Sequence, residues 1–120
     1  IMPHIPDKWY AFAVAQTYYE ELISAGVQIY EYTPGFVHAK VFVSDNDTAT
    51  VGTINLDYRS LYHHFECGTF IYNNPVVWEI ERDFQNTLKT SQKITMLDVK
   101  ERRIGMKMVG SVLRLIAPLM

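Results

Sequence analysis

Within eighteen residues, the chain places six side chains or backbone sites of chemical use at fixed intervals: His38, Lys40, Asp45, Gly52, Thr53 and Asn55, in the pattern H-x-K-x4-D-x6-G-[ST]-x-N. An imidazole both attacks phosphorus and carries protons near neutral pH. A lysine ammonium is a compact positive charge, and a carboxamide offers two further donors. A glycine lets another group come close to the backbone. Together these types suit a phosphate group. Each has a duller explanation taken alone, since a strand histidine is usually structural and Val-Gly-Thr is ordinary hairpin sequence. Six positions at fixed spacing form a far more specific signal than a lone glycine motif.

Strands would position them. Phe36 to Val43 is rich in β-branched and aromatic residues, 44–47 reads as a polar turn, and Thr48 to Thr53 is β-prone again, which predicts a hairpin. The two-residue period of a strand would put His38 and Lys40 on one face and pair Thr53 with Asn55. Around the hairpin, the spacing of Trp9, Phe12, Ala13, Tyr19, Leu22 and Ile23 predicts a helix over 7–25, capped by Asp7 and ended by Gly26. Residues 27–32 alternate as a strand, broken by Thr33-Pro34-Gly35. A short irregular or helical turn over 56–62, a strand over 65–72 and a helix over 75–90 complete an α/β arrangement.

Residues 98–117 differ in character. Ile104, Met108, Val112, Leu115 and Leu119 fall on one helical face, with Lys100, Arg103, Lys107 and Arg114 opposite. Such a helix packs its apolar face on a core or lies on anionic lipid. The expected division is therefore 1–95 as a catalytic lobe and 96–120 as an amphipathic, membrane-surface helix.

Composition narrows the alternatives. At 120 residues with 48% hydrophobic and 20% charged residues, the chain is globular, and its net charge of −2 lacks the basic footprint of a dedicated nucleic-acid binder. One cysteine, Cys67, excludes an internal disulfide and is expected to be a buried apolar thiol. No window is apolar enough for a transmembrane helix. Opening on Ile1, the chain is expected to be cut from a longer one. His63 and His64 would point to opposite faces of a strand and could not easily share a metal ion. Core packing is the expectation for most of the aromatic residues.

The six-position pattern resembles the HKD motif of the phospholipase D superfamily. Asn55-Leu56-Asp57-Tyr58-Arg59-Ser60-Leu61, Phe65-Glu66-Cys67-Gly68 and Tyr30-Glu31-Tyr32-Thr33-Pro34-Gly35-Phe36 look like the bacterial cardiolipin synthases, with His64 where related enzymes often carry Asn. The resemblance runs from about Pro3 to the C-terminus and implies a phospholipase D-like lobe, a mixed sheet flanked by helices. It further implies two motifs per enzyme, one per lobe, and metal-free ping-pong transfer through a phosphohistidine. Two phosphatidylglycerol molecules would give cardiolipin and glycerol. This chain resembles the C-terminal lobe, so His38 would be the general acid/base, and an N-terminal lobe would supply the nucleophile. Lys40, Thr53 and Asn55 would bind substrate, and Asp45 would support the motif's geometry. Glu66 would accept a hydrogen bond from the His38 Nδ1. Asp57, Arg59 and Ser60 belong to the resembling stretch and could bracket the pocket, but an Asp-x-Arg pair is commonly a structural ion pair, and a structural role is the expectation. The implied setting is the cell membrane, with the active site on its cytoplasmic side, the parent chain anchored by N-terminal transmembrane helices, and no cofactor. The competing functions are a single-motif phosphodiesterase or nuclease active as a homodimer, and a noncatalytic lobe binding anionic lipid or a partner protein.

Overall fold

The computed structural model describes residues 1–101 and 104–116, the side chains of 104–107 and 116 excepted. The elements are β1 (Met2–Pro3), α1 (Trp9–Thr17), α2 (Tyr19–Ser24), β2 (Ile29–Tyr32), β3 (Lys40–Ser44) and β4 (Thr48–Gly52). A π-helical turn (Arg59–His63) follows, then β5 (Gly68–Tyr72), α3 (Val76–Lys89), β6 (Ser91–Ile94), α4 (Met96–Glu101) and α5 (Ile104–Ile116). This is the expected mixture of helices and strands, gathered into two compact units: residues 1–37 with 90–120, and residues 38–89.

In the first unit, β2 runs parallel to β1 and antiparallel to β6. Tyr19, Ile29, Ile94 and Val99 form its buried cluster, with Met2 and Ile23 packed against it. The helix expected over 7–25 is two helices. Thr17 Oγ1 donates to the Val14 carbonyl at 2.6 Å, a local bond that competes with the helical ladder, and the chain breaks at Tyr18. Lys8 rather than Asp7 is the N-cap, and its side chain makes no capping bond. The exit is as expected: Gly26 takes φ +90°, and the N–H groups of Gly26 and Val27 reach the carbonyls of Ile23 and Leu22. That is a Schellman closure, which favours glycine at the left-handed position. Strand β6 carries no strong alternation and is not expected from sequence. The reciprocal bonds of Thr95 and Asp98 that open α4 form a capping box, a signal present in Thr95-Met96-Leu97-Asp98.

Helix α5 crosses α1 where Gly110 meets the Ala13 carbonyl, so closely that a Cβ there would stand 2.7 Å from that oxygen. Arg114 donates to Glu21 at 3.3 Å and lies over the Tyr18 ring at 3.9 Å. The apolar stripe read from sequence is not the packed face: Met108, Val112 and Leu115 are exposed. Arg103 and Leu119 of that pattern lie outside the described residues, as do the side chains of Ile104 and Lys107.

The second unit is an antiparallel meander, β3-β4-β5, with α3 packed on it. Asn74 opens α3 by accepting the Val76 N–H at 3.0 Å, and Pro75 needs no partner at the first turn. Ala49 and Val77 are its buried apolar residues. Aromatic burial is rarer than expected: Tyr19 is buried, whereas Trp9, Trp78, Tyr62, Phe65 and Phe70 are exposed.

Candidate active site

All six motif positions fall in the unit spanning residues 38–89. Strand β3 begins at Lys40, not Phe36, so His38 stands in the irregular segment before it and the two-residue period does not fix its face. Lys40 instead ties back to it, Nζ donating to the His38 carbonyl at 2.6 Å. The hairpin turn is as expected. Asp45 and Asn46 both take positive φ, 54° and 59°, which short polar side chains tolerate, and the Asp47 N–H returns to the Ser44 carbonyl. Asp45 is bonded by the Ser44 hydroxyl at 2.8 Å. It thus lies at the far end of β3 from Lys40, roughly 13 Å or more along the strand. A carboxylate there can shape the hairpin but cannot touch a group held by Lys40.

The opposite end of the meander is the chemical one. Lys40 pairs with Gly52, and Gly52 with Gly68. A Cβ on Gly52 would lie 2.3 Å from the Cys67 carbonyl oxygen and 2.5 Å from the Gly68 Cα, so the close approach that requires glycine is that of the chain entering β5. Immediately beyond, the Thr53 N–H donates to the Cys67 carbonyl at 2.9 Å, and the Cys67 N–H donates to Thr53 Oγ1 at 3.1 Å. Cys67 serves through these backbone groups, and its thiol is exposed rather than buried.

This clamp delivers Glu66 to Thr53, whose hydroxyl donates to the Glu66 carboxylate. Asn55 Nδ2 donates to Ser60 Oγ at 3.4 Å. Ser60 is 8% exposed and is fixed by its own N–H, which donates to Asp57 Oδ1 at 2.7 Å. Two bonded pairs, Asn55–Ser60 and Thr53–Glu66, therefore meet here, with the Ser60 side chain near enough to Glu66 to favour its charged form. The Thr53 bond first, then that of Ser60, holds the Glu66 carboxyl below its usual range. The charges of His64 and Lys40 add to this, and partial desolvation opposes it. Glu66 is thus a fixed negative charge beside Lys40.

Ser60, expected to be structural with a place beside the pocket as the alternative, bonds Asn55 and Asp57 and lies near Glu66. The available signal was the Asp57-x-x-Ser60 spacing, at which a carboxylate can cap the N–H three residues on. Arg59 bonds His64 Nε2 rather than completing an Asp57–Arg59 pair. Among the described residues no three His, Cys, Asp or Glu side chains gather as metal ligands would.

With an imidazole, an ammonium and a carboxamide at one end of the meander, the comparisons are specific. The family model described as cardiolipin synthase, PLD-like domain matches residues 1–88. The chain belongs to that family. A protein of Streptococcus mutans described as uncharacterized is 54% identical over the whole chain, which covers 26% of that relative. Cardiolipin synthase 2 of Bacillus anthracis is 39% identical over 100% of the chain and 23% of its own length. A cardiolipin synthase of Clostridium perfringens is also 39% identical over the whole chain, which covers 25% of it. The chain thus spans about a quarter of the length of the curated relatives it matches. No solved structure gives a significant match.

Proposed function

We propose that this domain is the C-terminal catalytic half of a cardiolipin synthase, transferring a phosphatidyl group between two phosphatidylglycerol molecules. The observation that supports the reading is the pairing of Thr53 with Glu66 and of Asn55 with Ser60 at the strand end that carries Lys40, whose Nζ donates to the His38 carbonyl. Lys40 and Asn55 offer positive charge and amide donors to a phosphate, and Glu66 offers a carboxylate to an imidazole. In the first step a nucleophilic imidazole from a second motif, on another lobe, attacks phosphorus. The bond from phosphorus to the glycerol oxygen breaks, and His38 gives that oxygen its proton. In the second step the hydroxyl of the acceptor phosphatidylglycerol loses its proton to His38 and attacks phosphorus, and the phosphorus–nitrogen bond breaks. Cardiolipin and glycerol leave, and both imidazoles return to their starting states.

Lys40 and Asn55 offset the charge that builds on the phosphoryl oxygens. Glu66, held ionised by Thr53 and Ser60, orients the His38 ring through Nδ1. Asp45 keeps the hairpin in shape. The test is His38→Ala in the full-length enzyme, assayed on phosphatidylglycerol vesicles. Turnover should fall by about 10²- to 10⁴-fold with the fold retained, and near-normal turnover refutes the assignment. A second arm assays the isolated 120-residue chain. Diester hydrolysis that rises with its dimer fraction would instead favour a homodimeric phosphodiesterase.

A further inference from the structure

We propose that Arg59 holds the phosphate of the acceptor lipid, a second anion subsite beside the one formed by Lys40 and Asn55. The inference rests on the phosphatidyl-transfer reading and names the part of the site that selects the acceptor. Arg59 opens the π-helical turn, within the same unit as the motif. Its neighbour Ser60 bonds Asn55 and sets its own N–H on Asp57. Consecutive residues, with Cα atoms about 3.8 Å apart, thus carry a partner of the inner site and the outer subsite. The turn itself is well held. The Leu61 N–H donates to the Asp57 carbonyl at 3.1 Å, the His64 N–H donates to the Arg59 carbonyl at 2.9 Å, and the Tyr58 and Tyr62 rings lie 6.1 Å apart. Turns of this kind are rare and often stand at functional sites.

The guanidinium is positioned but not neutralised. Arg59 Nε donates to His64 Nε2. Asp57, the acid at the spacing of a local ion pair, accepts the Ser60 N–H instead. Among the described residues no carboxylate pairs with Arg59. The charges that act on Glu66 are those of His64 and Lys40, so Glu66 does not balance Arg59 either. Ser60 is buried whereas Arg59 is exposed, which puts the guanidinium outward of the inner site. Its planar fork matches a phosphate with two parallel donors, which an ammonium cannot do.

Chemistry decides which phosphate it takes. Lys40, Asn55 and His38 serve the phosphorus that reacts. The acceptor brings a second phosphodiester, joined to its attacking hydroxyl by a three-carbon glycerol bridge that spans about 6 Å when extended. A second cation is therefore needed a short bridge outward from the first, and Arg59 supplies it. Water and free glycerol carry no phosphate and do not use the subsite. When the acceptor hydroxyl attacks, its proton passes to His38, the phosphorus–nitrogen bond breaks and cardiolipin leaves. When water attacks in its place, the same bond breaks and phosphatidic acid leaves. Arg59 favours the first outcome.

The test is Arg59→Gln in the full-length enzyme on phosphatidylglycerol vesicles, with isotopically labelled free glycerol added. Label entering phosphatidylglycerol reports the donor phosphate site and both imidazoles without an acceptor phosphate. Against the parent, the ratio of cardiolipin to phosphatidic acid should fall by about 10- to 100-fold while glycerol exchange is kept. Kept exchange also shows that the variant is folded. Arg59→Lys, with the charge but no fork, should lie between the two. Equal loss of cardiolipin formation and of exchange overturns the subsite, because it marks a donor-side or structural role. An unchanged product ratio overturns it as well. A parent enzyme that forms no cardiolipin defeats the phosphatidyl-transfer reading before Arg59 is touched, and the subsite with it.

Discussion

Substituting Gly52 by Ala tests the clamp that holds the site together. The new methyl group would meet two backbone atoms, the Cys67 oxygen at 2.3 Å and the Gly68 Cα at 2.5 Å, so no side chain can swing aside to admit it. The chain entering β5 must move away from β4. Overpacking of this kind costs about 1–3 kcal/mol. The displaced strand also strains the two hydrogen bonds joining Thr53 and Cys67, one between backbones and one from the Cys67 N–H to the Thr53 hydroxyl, each worth about 0.5–1.5 kcal/mol. A loss of about 3 kcal/mol is expected, a large share of the roughly 5–15 kcal/mol that stabilises a domain. Urea titration followed by circular dichroism measures it. Gly35→Ala is the control, because nothing lies within 4 Å of its added Cβ and its φ is not positive; it should be neutral or stabilising by up to about 1 kcal/mol. Transfer activity of Gly52→Ala should fall even where the protein remains folded, since Thr53 and Glu66 move with the strand. A Gly52→Ala protein within about 1 kcal/mol of its parent would show that the clamp is not rigid and refute the reasoning.

Three further outcomes follow from the same network. Ser60→Ala should lower kcat by about tenfold or more while leaving the fold intact, because Asn55 loses the hydroxyl that holds its amide, and Ser60→Thr should restore part of it; equal kinetics for parent and Ser60→Ala would remove Ser60 from the site. Glu66 is held below its usual value of 4.5, so its contribution to stability is present above that value and is lost as pH falls through the lower, folded-state one. Thr53→Val removes the largest cause of the shift, so the stability gap between variant and parent should be widest near neutral pH and close on acidification, as thermal melts across pH would record. Asp98→Ala should cost about 1 kcal/mol through loss of the capping box that opens α4, and an unchanged melting temperature would count against that cap.

Local chemistry alone determined much of this protein. The 44–47 turn, the Gly26 exit and the Asn74-Pro75 helix start are all set by residues within a few positions of one another. They read correctly because turn, cap and glycine preferences act over that range. The family was legible for the same reason, as a short run of fixed spacings. Tertiary structure decided what those residues meet. Gly52 is needed for the Cys67–Gly68 backbone, and Thr53 and Ser60 converge on Glu66 from thirteen and six residues away in sequence. Which side of α5 packs was set by the Gly110–Ala13 crossing rather than by its apolar stripe. Hydrophobic periodicity reports that a helix has an apolar face, but not which neighbour can approach closely enough to cover it; that depends on strand register and on helix crossings, both non-local.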